Sequence, residues 1–217
     1  MPVFCIYRPA FLQGIFVFIG TPSKRRLIFM KKQEKVLELC LMAMLTAVSV
    51  VLVTTIRFPL IPAANFLEYE PADIPVLIGG MMLGPIHGLI ILLVTCAIQA
   101  ITVSSTSGII GFLMHFIASS ALVLVVSLIY RKKKTVLSLI IGLIAGSLAM
   151  TAVMIPLNII FIPLLFPAVT TETVIGMLIP AIIPFNLLKA GINSVITFAV
   201  FTPIAHVLKK YIKVEKK

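Results

Sequence analysis

Asn186, Lys189 and Asn193 fall at i, i+3 and i+7, so a helix through them carries two amides and an ammonium on one stripe. The nearest charged neighbours in sequence are Glu172 and Lys209, and the chain between is apolar apart from Pro, Gly and a few polar residues. An ammonium at mid-depth in a bilayer costs about 3 kcal/mol or more, so it faces a cavity or a partner. Each amide offers a donor and an acceptor, and the lysine adds a charge-assisted donor. Such a set suits a neutral heterocycle with carbonyl and N–H edges better than an ion. Two other readings stay open: a snorkelling lysine, or a salt bridge to Glu172 or to a loop carboxylate.

Further uncharged hydrogen-bonding groups are scattered through the apolar chain. Gln99 and Thr102 sit near the end of one run, Asn158 follows Pro156 in another, and His115 lies mid-run as a candidate pocket residue. His87 and His206 read as packing residues, and the three histidines are too far apart for a metal site. Cys5, Cys40 and Cys96 have no C-x-x-C spacing and read as small core residues. No phosphate-cradling G-x-x-x-x-G-K-[ST], H-E-x-x-H or G-x-S-x-G motif occurs. With the carboxylates expected outside rather than paired at depth, no catalytic residue and no metal ligand is assigned.

Long apolar elements must position these groups. The 217 residues are 60% hydrophobic and 12% charged, with a mean hydropathy of +1.19. Ile74–Tyr130 and Thr135–Thr171 contain no Asp, Glu, Lys or Arg. A spanning helix takes roughly 20 apolar residues, so the fold class is all-α, a polytopic membrane bundle. Fifteen of the 18 Lys and Arg lie in blocks at 24–35, 131–134 and 209–217, which mark cytoplasmic ends. Blocks placed at helix ends also explain the net charge of +11 without nucleic acid. Parity between the blocks gives six spans with both termini cytoplasmic: about 35–56, 72–83, 85–103, 108–130, 136–163 and 173–208. The second is only about 18 Å long, too short to cross alone, so the polar loop before it must dip into the protein and line a cavity. Pro180 and Pro184 break the last span, leaving 173–182 as a short helix over the outer mouth. Residues 1–29, with basic residues after the apolar run instead of before it, are expected to be an extension ahead of a start at Met30, or a disordered tail. Residues 30–217 form the membrane domain. Ala43 and Ala47 place an A-x-x-x-A face on the first span, open to ordinary packing or to a docking partner.

The sequence resembles the substrate-binding S components of energy-coupling factor (ECF) vitamin transporters, most closely the riboflavin-specific type, over roughly residues 31–212. The resemblance rests on Leu67-Glu68-Tyr69-Glu70-Pro71-Ala72-Asp73-Ile74-Pro75, on Gly84-Pro85 with Gly88, on Ala43/Ala47 and, most specifically, on Ile183-Pro184-Phe185-Asn186-Leu187-Leu188-Lys189-Ala190-Gly191. It implies six helices, a riboflavin pocket near the outer face and a first loop that caps it. It also implies assembly with a transmembrane coupling subunit and two cytoplasmic ATPases. Asn186 and Lys189 would contact the flavin ring together with Asn158, and Ala43 and Ala47 would face the coupling subunit. The loop departs from the pattern in its acids, Glu68 and Glu70, and Gln99 stands where a more variable residue is expected.

The expectation is therefore a riboflavin-binding, non-enzymatic subunit of an ATP-driven importer in a prokaryotic plasma membrane, with riboflavin as cargo and no cofactor. Leu67, Glu68 and Tyr69 are expected to touch the ring or the ribityl chain, with Gln99 and His115 as further pocket candidates. The alternatives are an S component for another vitamin, such as thiamine or pantothenate, and a proton-coupled carrier using Lys189. A cationic vitamin would make Glu68 or Glu70 decisive.

Overall fold

The computed structural model describes residues 24–61, 67–103 and 107–214, with side chains described from 35 to 205 within these segments. Its helices are α1 (Lys24–Thr55), α2 (Asp73–Met82), α3 (Pro85–Thr102), α4 (Gly108–Lys133), α5 (Val136–Leu165), α6 (Thr171–Met177) and α7 (Ile183–Val214). A π-helical turn, Leu178–Ile182, joins α6 to α7. Two short strands, β1 (Phe58–Pro59) and β2 (Glu68–Tyr69), pair antiparallel in the loop between α1 and α2.

Among the described residues, five helical segments are long and apolar enough to cross a membrane: Lys35–Thr55, Pro85–Thr102, Gly108–Lys133, Val136–Leu165 and Thr171–Ala205. The sixth expected span is α2, which at ten residues is too short. It survives because it touches no lipid. Residues Asp73 to Met81 are all buried, and α1, α3, α4 and α7 pack around the helix. A helix apolar on every side is stable only when it is enclosed in this way.

Close backbone approach makes the enclosure possible. A Cβ on Gly88 of α3 would come within 2.8 Å of both Gly80 Cα and Val123 Cγ1. At the α2–α3 turn Gly84 takes φ 126°, a conformation glycine adopts without strain, and Pro85 starts the next helix. A side chain at Gly84 would collide with the guanidinium of Arg131. The turn therefore lies at the same end of the bundle as the 131–134 basic block, the cytoplasmic end by charge. Thr135 caps α5 reciprocally with Ser138, the backbone N–H of each bonding the other's hydroxyl at 3.0 and 3.2 Å.

The structure revises the last span. The short outer helix is Thr171–Met177 rather than 173–182, and the chain runs on through the π turn into α7 without a break. Pro184 cannot donate to a carbonyl one turn back, and the π turn absorbs that lost bond while rotating the face α7 presents. Residues 1–23 lie outside the described residues, and 24–29 form the first turns of α1.

Gly88→Val is expected to destabilise the protein by about 1–3 kcal/mol through overpacking against Gly80. Gly191→Ala, where a Cβ meets nothing within 4 Å, is expected to stay within about 0.5 kcal/mol of the parent. Thermal unfolding in detergent, followed by helical circular dichroism, compares the two.

Candidate functional site

Lys189 is buried, with 5% of its surface exposed. Its Nζ donates to Glu70 Oε1 at 3.0 Å. Of the readings left open by the sequence, the loop carboxylate is the partner. Glu70 is itself 6% exposed and Asp73 1%, which overturns the expectation that the carboxylates stay outside rather than at depth. The reason is α2: a helix too short to span draws its preceding loop, acids included, down between the long helices.

Every helix around α2 holds that loop. Gln99 Nε2 of α3 donates to Glu70 Oε2 at 2.5 Å. The His115 ring of α4 lies between the carboxylates, Nδ1 at 3.2 Å from Glu70 and Nε2 at 3.4 Å from Asp73. From α7, Asn193 Nδ2 donates to the Glu70 carbonyl at 3.3 Å and to Asp73 at 3.5 Å, while its Oδ1 accepts from the Tyr69 hydroxyl at 2.9 Å. Ser49 of α1 donates to the Ala72 carbonyl at 2.7 Å. A buried ion pair is tolerated when further hydrogen bonds satisfy its remaining lone pairs and protons, and here Gln99 supplies one to the carboxylate oxygen that Lys189 leaves open.

Above the cluster lies a cavity of about 150 Å³. Leu67, Glu68, Gln99, His115, Asn158 and Lys189, all expected at a site, line it. Tyr69 and Asn186 do not. Tyr69 is turned to Asn193, and Asn186 is 1% exposed with its Nδ2 bonded to the Ile182 carbonyl at 2.8 Å. Two buried amide oxygens, Gln99 Oε1 and Asn186 Oδ1, have no hydrogen-bond partner among the described residues. Asn158 donates from Nδ2 to the Met154 carbonyl at 2.7 Å. Apolar surface comes from Phe112, Met114, Met154 and Phe185, and Cys96 joins the wall, whereas Cys40 is exposed on α1 rather than part of a core.

Arg57, which sequence reasoning passed over, lines the cavity between the end of α1 and β1. Its place directly after an apolar span reads as an interfacial anchor, and no local signal separates that from a pocket role. Ala43 and Ala47 lie on an exposed face of α1 with Leu39, Met44 and Val48. The cavity wall is thus made of two ion pairs, Glu70–Lys189 and Arg57–Glu68, of His115, of uncharged amides and of apolar side chains.

A half-open cavity with amide, charged and apolar walls, set among the helices of a membrane bundle, has the form of a ligand-binding site. Residues 37–201 match the family described as ECF transporter, substrate-specific component, and the chain belongs to that family. It is accordingly a multi-pass cell-membrane protein and a transport subunit, not an enzyme. It is 32% identical to the riboflavin transporter RibU of Streptococcus thermophilus, over 80% of this chain and 85% of that one. The corresponding figures are 28%, 86% and 98% for RibU of Staphylococcus aureus, and 26%, 77% and 91% for the riboflavin transporter FmnP of Bacillus subtilis. Among solved structures, one titled "Structure and mechanism of the S component of a bacterial ECF transporter" aligns with a TM-score of 0.70 at 30% identity, covering 81% of this chain and 99% of its own.

Lys189→Met leaves Glu70 buried without its cation and is expected to destabilise the protein by about 3–5 kcal/mol. Adding Glu70→Gln should restore most of that loss, since neither charge then remains. Thermal unfolding of the single and double variants is the measurement, and equal losses in both would mean that the pair is not the source.

Proposed function

We propose that this protein captures riboflavin from outside the cell as the substrate-specific subunit of an ATP-driven ECF importer, working with a transmembrane coupling subunit and two cytoplasmic ATPases. The observation that carries the reading is the cavity wall itself. Lys189, Asn158 and Gln99, from three different helices, converge on one apolar-sided space.

Riboflavin is uncharged, and its ring has a polar pyrimidine edge and an otherwise flat apolar body. In this reading Lys189 and Asn158 meet the polar edge, and the unpartnered Gln99 oxygen in the cavity wall supplies an acceptor for a ring N–H. Phe112, Met154 and Phe185 flank the ring. Leu67 and Glu68 lie above, toward the ribityl chain. The space of about 150 Å³ is below the roughly 300 Å³ at which ligand pockets begin, so the mouth at Leu67 and Glu68 widens as the ring enters. The charge balance also disfavours a cationic vitamin such as thiamine, because Glu70 is already matched by Lys189. Ala43 and Ala47, small and exposed, suit close approach by a helix of the coupling subunit.

Protein purified in mild detergent is expected to carry a flavin absorption band or, once stripped, to quench the fluorescence of added riboflavin. Asn158→Ala should weaken that binding about tenfold, the value of one hydrogen bond lost from a buried edge, while the protein still unfolds cooperatively. A colourless preparation that leaves riboflavin fluorescence unchanged overturns the assignment.

A further inference from the structure

The mouth of the cavity carries a second ion pair, separate from the buried one. Arg57 Nε faces Glu68 Oε2, with the two side chains 25% and 37% exposed. Strand register sets them on a diagonal: Phe58 pairs with Tyr69 and Pro59 with Glu68, so Arg57, just ahead of β1, stands opposite Glu70 and its long side chain reaches the diagonal neighbour Glu68. A third group fixes the guanidinium, whose Nη1 donates to the Val103 carbonyl at 2.9 Å. That carbonyl caps the C-terminal end of α3, where unpaired oxygens favour a cation.

Both Arg57 and Glu68 line the cavity, as do Ser107 and Gly111 near the start of α4. His115 and the buried cluster lie about 12 Å further along that helix at 1.5 Å per residue. A ligand whose polar edge rests near Lys189 therefore extends its far end toward Arg57 and Glu68. Among the described residues the cavity is lined by two basic side chains besides His115. Lys189 is matched by Glu70, and Arg57 by Glu68. The mouth thus offers no unmatched cation, although a guanidinium stands in it.

Resting on the riboflavin reading, we propose that the Arg57–Glu68 pair is a selectivity element. Glu68 occupies the cation that a terminal phosphate would need, so the site takes the uncharged ribityl alcohol and disfavours its phosphomonoester. Arg is the side chain best matched to phosphate geometry, so the discrimination lies in its being engaged, not in its being absent. A phosphate at this position must displace the Glu68 carboxylate or sit beside it, and either course is unfavourable. The alcohol needs only hydrogen bonds, which Arg57 and Glu68 both still offer.

The test is the ratio of Kd for FMN to Kd for riboflavin, so that any general loosening of the site cancels. In the parent protein FMN is expected to bind at least about tenfold more weakly than riboflavin. Glu68→Gln, which releases the guanidinium, should shrink the ratio by about tenfold, the effect of exposing one charge to a partly screened phosphate. FMN binding to that variant should also weaken as salt rises. Arg57→Gln, which leaves Glu68 unmatched, should widen the ratio, as should combining it with Glu68→Gln relative to Glu68→Gln alone. A parent protein that binds the two flavins equally overturns the proposal, as does a ratio that none of these variants moves. A protein that binds neither flavin refutes the riboflavin reading instead, so the two failures are distinguishable.

Discussion

The buried contact between Glu70 and Lys189 is the constraint around which the rest of the structure is arranged. Two opposite charges removed from water lose several kcal/mol of hydration each, and their attraction compensates only when the remaining lone pairs and protons are satisfied. Gln99 donates to the second carboxylate oxygen, the His115 ring lies against the first, and the Asn193 amide holds the Glu70 backbone, from three helices. Because Glu70 belongs to the loop and Lys189 to α7, satisfying the charges and closing the loop are the same event. The ten-residue α2 makes this geometry necessary, since a longer helix would carry the acids to the membrane surface.

Function follows from how charge is distributed with depth. The bottom of the cavity holds the Glu70–Lys189 pair with a second buried carboxylate, Asp73, against His115 and Asn193; its sides are aromatic and thioether surface, and its mouth carries the Arg57–Glu68 pair. In this space the lysine and the arginine of the wall each face a carboxylate, and the amides remain for a neutral molecule to hydrogen-bond. The unpartnered oxygens of Gln99 and Asn186 fit that pattern: a buried acceptor without a donor is unfavourable unless something completes it. The exposed Ala43/Ala47 face of α1 offers small residues at which another helix can approach closely, as the proposed assembly requires.

Much of this architecture was legible in the residues. The apolar run lengths and the three basic blocks placed the long helices, and the shortness of residues 72–83 showed that the preceding loop must enter the protein. The Asn186/Lys189/Asn193 stripe identified α7 as a site helix. The division of labour along that stripe was not legible. Lys189 lines the cavity, Asn193 ties down the loop, and Asn186 is packed against its own helix. Residues sharing a stripe share a direction, but what stands opposite each one depends on a neighbouring element whose rotation periodicity does not encode. Arg57 escaped notice for a related reason: a lone arginine after an apolar span looks the same whether it meets lipid headgroups or a strand brought back by a later turn.

By itself, then, the sequence determined which segments had to leave water, which helix ends carry the basic blocks and which polar groups were stranded at depth. Those outcomes follow from composition and length, which act locally and add along the chain. Tertiary structure alone decided that Glu70 and Asp73 share the interior with Lys189. The favourable energy of that arrangement comes from groups 119 residues apart, and it exists only once α2 has carried the loop down among the helices that neutralise it.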